Sequence, residues 1–119
     1  MESFFASGPD EGERFSIGAG LGTARVLGEL PDAEAVELTF EPGWEGVDAH
    51  SHSDHTDSFY VLEGEVEFLV GGERKRGGTG TYVSIPPGIV HGFRIAGESR
   101  IRMLNVHAPK VGFVERLRP

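Results

Sequence analysis

The chain has 119 residues, no cysteine, a formal net charge of −8 and a pI near 5.0. A chain of this length supports one hydrophobic core, so we expect a single domain over residues 1–119. The acidic balance argues against nucleic acid or an anionic membrane surface as a partner. The first residues lack a basic segment followed by a long apolar run, so we expect no signal peptide, no transmembrane span and a cytoplasmic location.

Short β-rich segments separated by glycine follow one another along the chain. Residues 1–16 are polar and contain glycine and proline, so we expect an N-terminal arm there. Strands are then predicted at 23–27, 34–40, 48–52, 57–63, 65–70, 73–76, 80–84, 91–95 and 99–107. No stretch has the pattern of a long amphipathic helix, and the fold class is therefore predicted to be all-β, a barrel or sandwich.

Three histidines and one aspartate have the spacing of metal ligands. One residue separates His50 from His52, four residues separate His52 from Asp57, and His91 follows a Pro-Pro-Gly corner. On a strand, residues i and i+2 point to the same face about 6.6 Å apart, so two such imidazoles can reach one ion. Imidazole and carboxylate ligands are typical of divalent transition metals, and we predict one such ion per chain.

A predicted hairpin explains how Asp57 reaches the same place. The alternating run that begins at Asp57 turns at Gly64 and continues as a second alternating run to Phe68. This hairpin would hold Asp57 beside the strand that carries His50 and His52. Two interpretations of Asp57 stay open, because it could bind the ion directly or hydrogen-bond a neighbouring histidine.

With these residues in these positions, the chain resembles a small single-domain cupin. The cupin motifs G-x5-H-x-H-x(3–4)-E-x6-G and G-x5-P-x-G-x2-H-x3-N correspond here to His50, His52, Asp57 and Gly64, and to Gly80, Pro86, Gly88, His91 and Ile95. The resemblance covers residues 36–107 and implies the cupin double-stranded β-helix, a jelly-roll barrel. It also implies that His50, His52, Asp57 and His91 hold the metal.

Three positions depart from the family pattern. Asp57 stands where the family has glutamate, so its carboxylate reaches about 1.5 Å less far. Ile95 replaces the closing asparagine of the second motif, and Trp44 stands at the place of the leading glycine of the first. These departures concern the coordination of the metal more than the fold.

Strand alternation predicts an apolar interior around the metal. In the last strand the two arginines, Arg100 and Arg102, share one face and should meet water, which turns the opposite face inward. The same reasoning predicts this wall: Val36, Leu38, Phe40, Phe68, Tyr82, Phe93, Ile95, Met103 and Asn105. From it we take this substrate pocket: Phe40, Tyr82, Phe93, Met103 and Asn105. Such a wall suits a small, partly apolar ligand with a metal-binding oxygen.

The other singled-out residues have simpler expected roles. We expect His55 to be a solvent-exposed loop residue between ligands, with a substitute ligand as the alternative. Strand alternation predicts that His107 points inward near a barrel end, where a surface or subunit contact is a simpler role than contact with a ligand. Trp44 is predicted to be a packing residue in a turn.

Two classes of function follow from the resemblance. In the first, the protein is a metal-dependent enzyme similar to quercetinase-like dioxygenases, with iron or manganese favoured and nickel, copper or zinc as alternatives. In the second, it is a non-catalytic cupin that binds a small molecule such as a sugar. A metal-dependent isomerase is a further alternative, because one fold hosts many functions.

Apolar segments in the N-terminal third suggest self-association. They are Phe4-Phe5, Phe15–Ile17 and Val26–Leu30. An N-terminal strand could add to a partner's sheet edge, and small cupins commonly dimerise in this way, so we expect a homodimer. The alternative is that the segment folds back on its own barrel.

Overall fold

Ten strands in two antiparallel sheets form the fold. The computed structural model describes residues 4–119, so the first three residues of the predicted arm lie outside the described residues. The strands are β1 Arg14–Ile17, β2 Gly22–Leu30, β3 Ala33–Phe40, β4 Val47–His50, β5 Thr56–Glu63, β6 Val66–Val70, β7 Glu73–Gly77, β8 Tyr82–Ile85, β9 His91–Ile95 and β10 Ile101–Ala108. A 3-10 turn at Gly18–Gly20 and one short helix, α1 Phe113–Leu117, complete the elements.

The two sheets pack face to face around one core. One sheet has the strand order β1-β2-β3-β10-β5-β8, and the other has the order β4-β9-β6-β7. Aromatic rings join them, because Phe59 of the first sheet lies 5.7 Å from Phe68 and 5.0 Å from Phe93 of the second, measured between ring centroids. This arrangement confirms the prediction of an all-β jelly-roll barrel.

Alternation of side chains along the strands decides what enters the core. In β3, Val36, Leu38 and Phe40 are buried, while the residues between them are half-buried on the other face. In β10, Met103 and Asn105 are buried in the same manner. Apolar residues at every second position are what a sheet with one covered face requires, and the inward face predicted for the last strand is the one observed.

Tyr82 does not follow its predicted orientation. Strand β8 pairs with β5 in a register that places Tyr82 opposite Tyr60 and Ile85 opposite Asp57. Because Asp57 and Ile85 point inward, the alternation turns Tyr82 outward, where 61% of its surface is exposed. The prediction that Tyr82 forms part of the inner wall is therefore wrong.

The N-terminal segment folds onto its own chain. Strand β1 occupies Arg14–Ile17, inside and just after the predicted arm, and pairs with β2 in antiparallel register. Within one chain, β1 and β8 are the two edges of the larger sheet. Homodimer formation stays a prediction, which light scattering at micromolar concentration would test.

Within the described part of the chain, no helix combines the length and the apolar character needed to cross a bilayer.

Candidate metal centre

Two strand ends bring His50 and His91 together. His50 closes β4, His91 opens β9, and the two residues are direct partners in the register of the smaller sheet. Gly92 allows this approach, because a Cβ at that position would lie 2.5 Å from the carbonyl oxygen of Val47. A residue with a side chain would push β4 away, so Gly92 sets the distance between the two histidines.

A turn ties His52 to the segment that precedes His91. The backbone N–H of Gly88 donates to the carbonyl oxygen of His52 over 2.6 Å. Gly88 adopts a positive φ of 89°, which is strained for residues with a side chain. The Pro-Pro-Gly corner therefore fixes the loop after β4 against the strand that carries His91.

Backbone carbonyls select the ring tautomers of His50 and His91. Nδ1 of His50 donates to the carbonyl oxygen of Asp48 over 2.8 Å, and Nδ1 of His91 donates to that of Ile89 over 2.9 Å. A carbonyl oxygen only accepts, so the proton of each neutral ring is on Nδ1 and the lone pair is on Nε2. This is the arrangement by which proteins prepare a histidine for a metal.

The free ring nitrogens converge with the spacing of ligands around one ion. Nε2 of His50 lies 3.1 Å from Nε2 of His52, and Nε2 of His91 lies 3.2 Å from Oδ2 of Asp57. An ion with bonds of about 2.1 Å separates adjacent ligand atoms by roughly 3.0 Å in an octahedron and 3.4 Å in a tetrahedron. With the ring proton of His91 on Nδ1, its Nε2 and the carboxylate oxygen both present lone pairs, as two ligands of one cation do.

Asp57 is buried, and the contacts of one carboxylate oxygen, Oδ1, fix the orientation of its side chain. Its Oδ1 accepts from Nδ2 of Asn105 over 2.7 Å and lies 3.4 Å from Nε2 of His107. Its Oδ2 faces His91 and lies 3.8 Å from Nε2 of His52. Asn105 also donates to the carbonyl oxygen of Ser58 over 3.0 Å, which fixes its amide. The donors on Oδ1 therefore turn Oδ2 toward the imidazoles.

His107 is buried behind Asp57, on the inward face that strand alternation predicts and not at the surface of the chain. The residue is 6% exposed, and its Nδ1 lies 3.5 Å from Oε1 of Glu34. Burial is the main cause that lowers the pKa of His107, against the opposing effects of Asp57 and Glu34. Asn105 and His107 share this inward face of β10.

Glu34 anchors the C-terminal segment beneath His107. Its carboxylate accepts from the backbone N–H groups of Val111, Gly112 and Val114 at 3.0, 3.1 and 3.2 Å. Burial acts to raise the pKa of Glu34, but these N–H groups and His107 outweigh it and the pKa is lowered. This buried carboxylate places α1 over the open end of the barrel.

His55 is also buried, so its predicted exposure to solvent is wrong. It is 5% exposed, its ring lies 4.3 Å from that of His52, and its Nδ1 bonds Oδ1 of Asp54 over 2.8 Å. Burial, followed by the neighbouring His55 and His50, lowers the pKa of His52. All five histidines of the chain thus form one connected cluster, which is identified by these residues: His50, His52, His55, His91 and His107.

The histidine cluster opens into a cavity of about 560 Å³. Trp44 stacks on Phe40 in its wall with a centroid distance of 3.6 Å and an interplanar angle of 10°. The apolar part of the wall contains Ile17, Leu38, Phe40, Trp44, Val47, Phe59, Phe93, Val111, Phe113 and Leu117. Helix α1 supplies the last residues of this wall, so a segment outside the barrel strands completes the cavity.

The predicted pocket residues are only partly on this wall. Phe40, Phe93 and Asn105 line the cavity. Met103 is fully buried in the core and does not line it, and Tyr82 is on the outer surface. Within the described residues, His50, His52 and His91 offer ligand atoms that all lie within 4.8 Å of one another. The geometry therefore brings the three predicted histidines together, with Asp57 beside them.

Comparison with known proteins identifies the same region. Residues 36–107 match the family model described as Cupin domain. The chain is also similar to quercetin 2,3-dioxygenase of Bacillus subtilis (strain 168), with 33% identity over 88 residues. That match covers 71% of this chain and 26% of the relative, so the chain spans about a quarter of the relative's length.

Solved structures share the fold over nearly the whole chain. The structure of KdgF from Halomonas sp. has a TM-score of 0.79 and 24% identity, covering 93% of this chain and 96% of that one. An RmlC-like cupin from Shewanella frigidimarina NCIMB 400 has a TM-score of 0.78 and 29% identity, covering 92% of this chain and 93% of that one. The fold of this chain is thus similar to that of both structures over nearly the whole length of each chain.

Proposed function

Since the chain belongs to the cupin family, we propose that it is a divalent-metal-dependent enzyme of the dioxygenase type acting on a small, partly apolar, oxygen-bearing substrate. The observation that carries the proposal is the convergence of three imidazole Nε2 atoms at the inner end of a cavity with aromatic walls. The similarity to quercetin 2,3-dioxygenase supports the same reaction class. Iron or manganese is the favoured ion, and nickel, copper or zinc are the alternatives.

His50, His52 and His91 would hold the ion in this proposal, with Asp57 as a direct or hydrogen-bonded neighbour. A bound divalent transition metal supplies Lewis-acid and redox chemistry toward an oxygen-bearing substrate. The carbonyl groups of Asp48 and Ile89 orient two of the imidazoles and hold a ring proton on Nδ1. The protein's part is therefore to present unprotonated Nε2 atoms without a conformational change.

The apolar wall would bind and orient the organic part of the substrate. Trp44 and Phe40 form a stacked pair, and Phe93 lies 5.5 Å from Trp44, so a planar substrate would meet aromatic faces and edges. The same residues leave little polar surface for water, which strengthens polar contacts near the histidines. A substrate with one oxygen-bearing end and one planar apolar end fits a cavity with histidines at one end and aromatic rings along its wall.

The proposal is tested by metal reconstitution followed by two independent readouts. Metal-free protein would be loaded separately with Fe(II), Mn(II), Ni(II), Cu(II) or Zn(II), and oxygen consumption measured with quercetin as the probe. Trp44 is the single tryptophan of the chain and lies in the cavity wall, so its fluorescence reports binding independently of turnover. We expect oxygen consumption that requires the metal and is lost in His50→Ala.

Control variants and the contrary result separate the alternatives. Tyr82→Phe alters an exposed ring outside the cavity and should retain the wild-type rate. Quenching of Trp44 fluorescence without oxygen consumption in any metal form would instead support the non-catalytic binding cupin. Conversion of a bound probe without oxygen consumption would support the isomerase.

A further inference from the structure

A second group of ligating side chains lies beside the first. Within the described residues, His52, His55 and Asp57 also offer ligand atoms that all lie within 4.8 Å of one another. This group shares His52 with the three-histidine set and differs from it by His55 and Asp57. Its new member, His55, corresponds to no position of the two sequence motifs, because it stands between the motif residues.

The surroundings of His55 are those of a metal ligand. Its ring is buried although it belongs to the loop between β4 and β5, and Nδ1 is bonded to a carboxylate oxygen of Asp54 over 2.8 Å. A carboxylate on one ring nitrogen fixes the proton there and raises the basicity of the other nitrogen. Asp54 is largely exposed, so it reaches His55 from the solvent side and leaves Nε2 as the free ring nitrogen.

Charge in the cavity also favours a cation at this place. Asp57 is buried, Nδ2 of Asn105 donates to its Oδ1 over 2.7 Å, and within the described residues no lysine or arginine pairs with it. Arg116 is the one arginine or lysine in the described lining of the cavity. A buried carboxylate without a close cationic partner is costly, and a divalent ion between His52, His55 and Asp57 would remove that cost.

We propose that His52, His55 and Asp57 form a second, alternative position for a divalent cation of the zinc or cobalt type. Nε2 of His52 serves one ion at a time, so the two positions compete for this ligand and the wild-type chain holds one tightly bound ion. Two imidazoles and one carboxylate suit a four-coordinate ion that keeps one solvent position. The proposal needs metal binding by the cluster and does not depend on the reaction.

The test removes the first position and asks whether binding survives. Metal-free His50→Ala/His91→Ala protein, full-length, would be titrated with Co(II) while visible absorption is recorded, and affinity measured by competition with a chromophoric chelator. We expect one Co(II) per chain, bound roughly 10- to 100-fold more weakly than by the wild type. Adding His55→Ala should abolish this binding, and adding Asp54→Asn should weaken it.

Controls protect the result from loss of structure and from surface binding. Glu73→Gln, which removes an exposed carboxylate outside the cavity, should leave binding by the double variant unchanged. Near-ultraviolet circular dichroism of Trp44 reports folding of the cavity wall in each variant. If the alanine variant unfolds, His50→Gln/His91→Gln provides the same removal of imidazoles with less loss of volume.

Each outcome decides between the two positions. A folded double variant without Co(II) binding overturns the second position while leaving the first, provided the wild type binds. Equal binding by the double and the His55→Ala triple variants also overturns it. A wild type that loses its binding on His55→Ala but keeps it on His50→Ala/His91→Ala would support the second position and contradict the proposed function.

Discussion

The two ends of the barrel interior differ, although the same strands build both. Along β10 the inward side chains change from Ile101 and Met103 to Asn105 and His107. Along β5 they change in the opposite chain direction, from Asp57 to Val61. Because neighbouring strands are antiparallel, these changes coincide in space and divide the interior into a closed apolar end and an open histidine-rich end.

The comparison shows how a small barrel separates stability from function. The closed end contains side chains with no exposed surface, including Val66, Phe68 and Ile101. The open end contains buried polar groups that need specific partners, such as Glu34 and Asp57. Burial of apolar surface stabilises the closed end. At the open end, the hydrogen-bond partners of the buried polar groups decide whether their burial stabilises or destabilises the fold.

The largest effect on folding should come from the closed end. Phe68→Ala removes a fully buried ring and leaves a cavity, so we expect the free energy of unfolding to fall by about 3–5 kcal/mol. Chemical denaturation followed by Trp44 fluorescence measures this change. Tyr82→Ala, at an exposed position, should change it by no more than about 0.5 kcal/mol. Similar losses in both variants would contradict the division of the barrel.

At the open end, removal of a ligand should affect metal binding more than folding. His50→Ala removes one imidazole from the first position, so we expect Co(II) or Zn(II) affinity to fall toward that of the second position, by about 10- to 100-fold. Calorimetric titration measures the affinity. Because His50 is half-exposed, the metal-free variant should unfold within about 1 kcal/mol of the wild type. A large loss of stability without metal would mean that the open end is also structural.

Glu34 should be an exception among the polar residues of the open end, because its substitution should affect folding more than metal binding. Glu34→Gln keeps one acceptor but replaces the other with an N–H₂ group that meets backbone N–H donors. We expect a loss of about 1–3 kcal/mol in the free energy of unfolding. Urea denaturation at neutral pH measures it. An unchanged stability would show that the C-terminal segment is held by its apolar contacts alone.

The pH dependence of this loss follows from the lowered pKa of Glu34. Its folded-state pKa lies below the unfolded value of about 4.3, so the unfolded chain binds the proton first. The stabilisation by Glu34 is therefore complete above that pH and is lost as the pH falls through the folded-state pKa. Wild type and Glu34→Gln should converge in stability in this acidic range, and a constant difference would contradict the ionised state.

The smallest of these effects should come from Asp57→Asn. The substitution keeps the shape of the side chain but removes its charge, so the ion loses a carboxylate neighbour while three imidazoles remain. We expect roughly a tenfold loss of affinity, about 1.4 kcal/mol, in the range found for groups that support metal ligands. Loss equal to that of His50→Ala would identify Asp57 as an indispensable ligand.

Much of the barrel could be predicted because its longer strands alternate clearly. The strand predicted at 34–40 lies within β3 Ala33–Phe40, and that at 91–95 coincides with β9 His91–Ile95. Strand β1 was not predicted, because four residues next to a polar segment give no clear period. Helix α1 has only five residues, and its position depends on the buried Glu34 far away in the chain.

The candidate site could be predicted only where strands carry it. His50 ends a strand and His91 begins one, and the resemblance to the two cupin motifs indicated that they lie together. His55 belongs to a loop, where the direction of a side chain follows no period, and its burial could not be predicted. The predicted orientation of Tyr82 was wrong for a related reason, because β8 has only four residues and its pairing with β5 sets which side chains point inward.

The position of all five histidines in one cluster makes them a local probe without any engineering. Isotopic labelling of histidine alone would give five sets of ring signals in nuclear magnetic resonance, and every one would come from the open end of the barrel. A cation or an organic molecule entering the cavity would shift these signals against a silent background. The protein therefore has a built-in spectroscopic label at the place where its chemistry is expected.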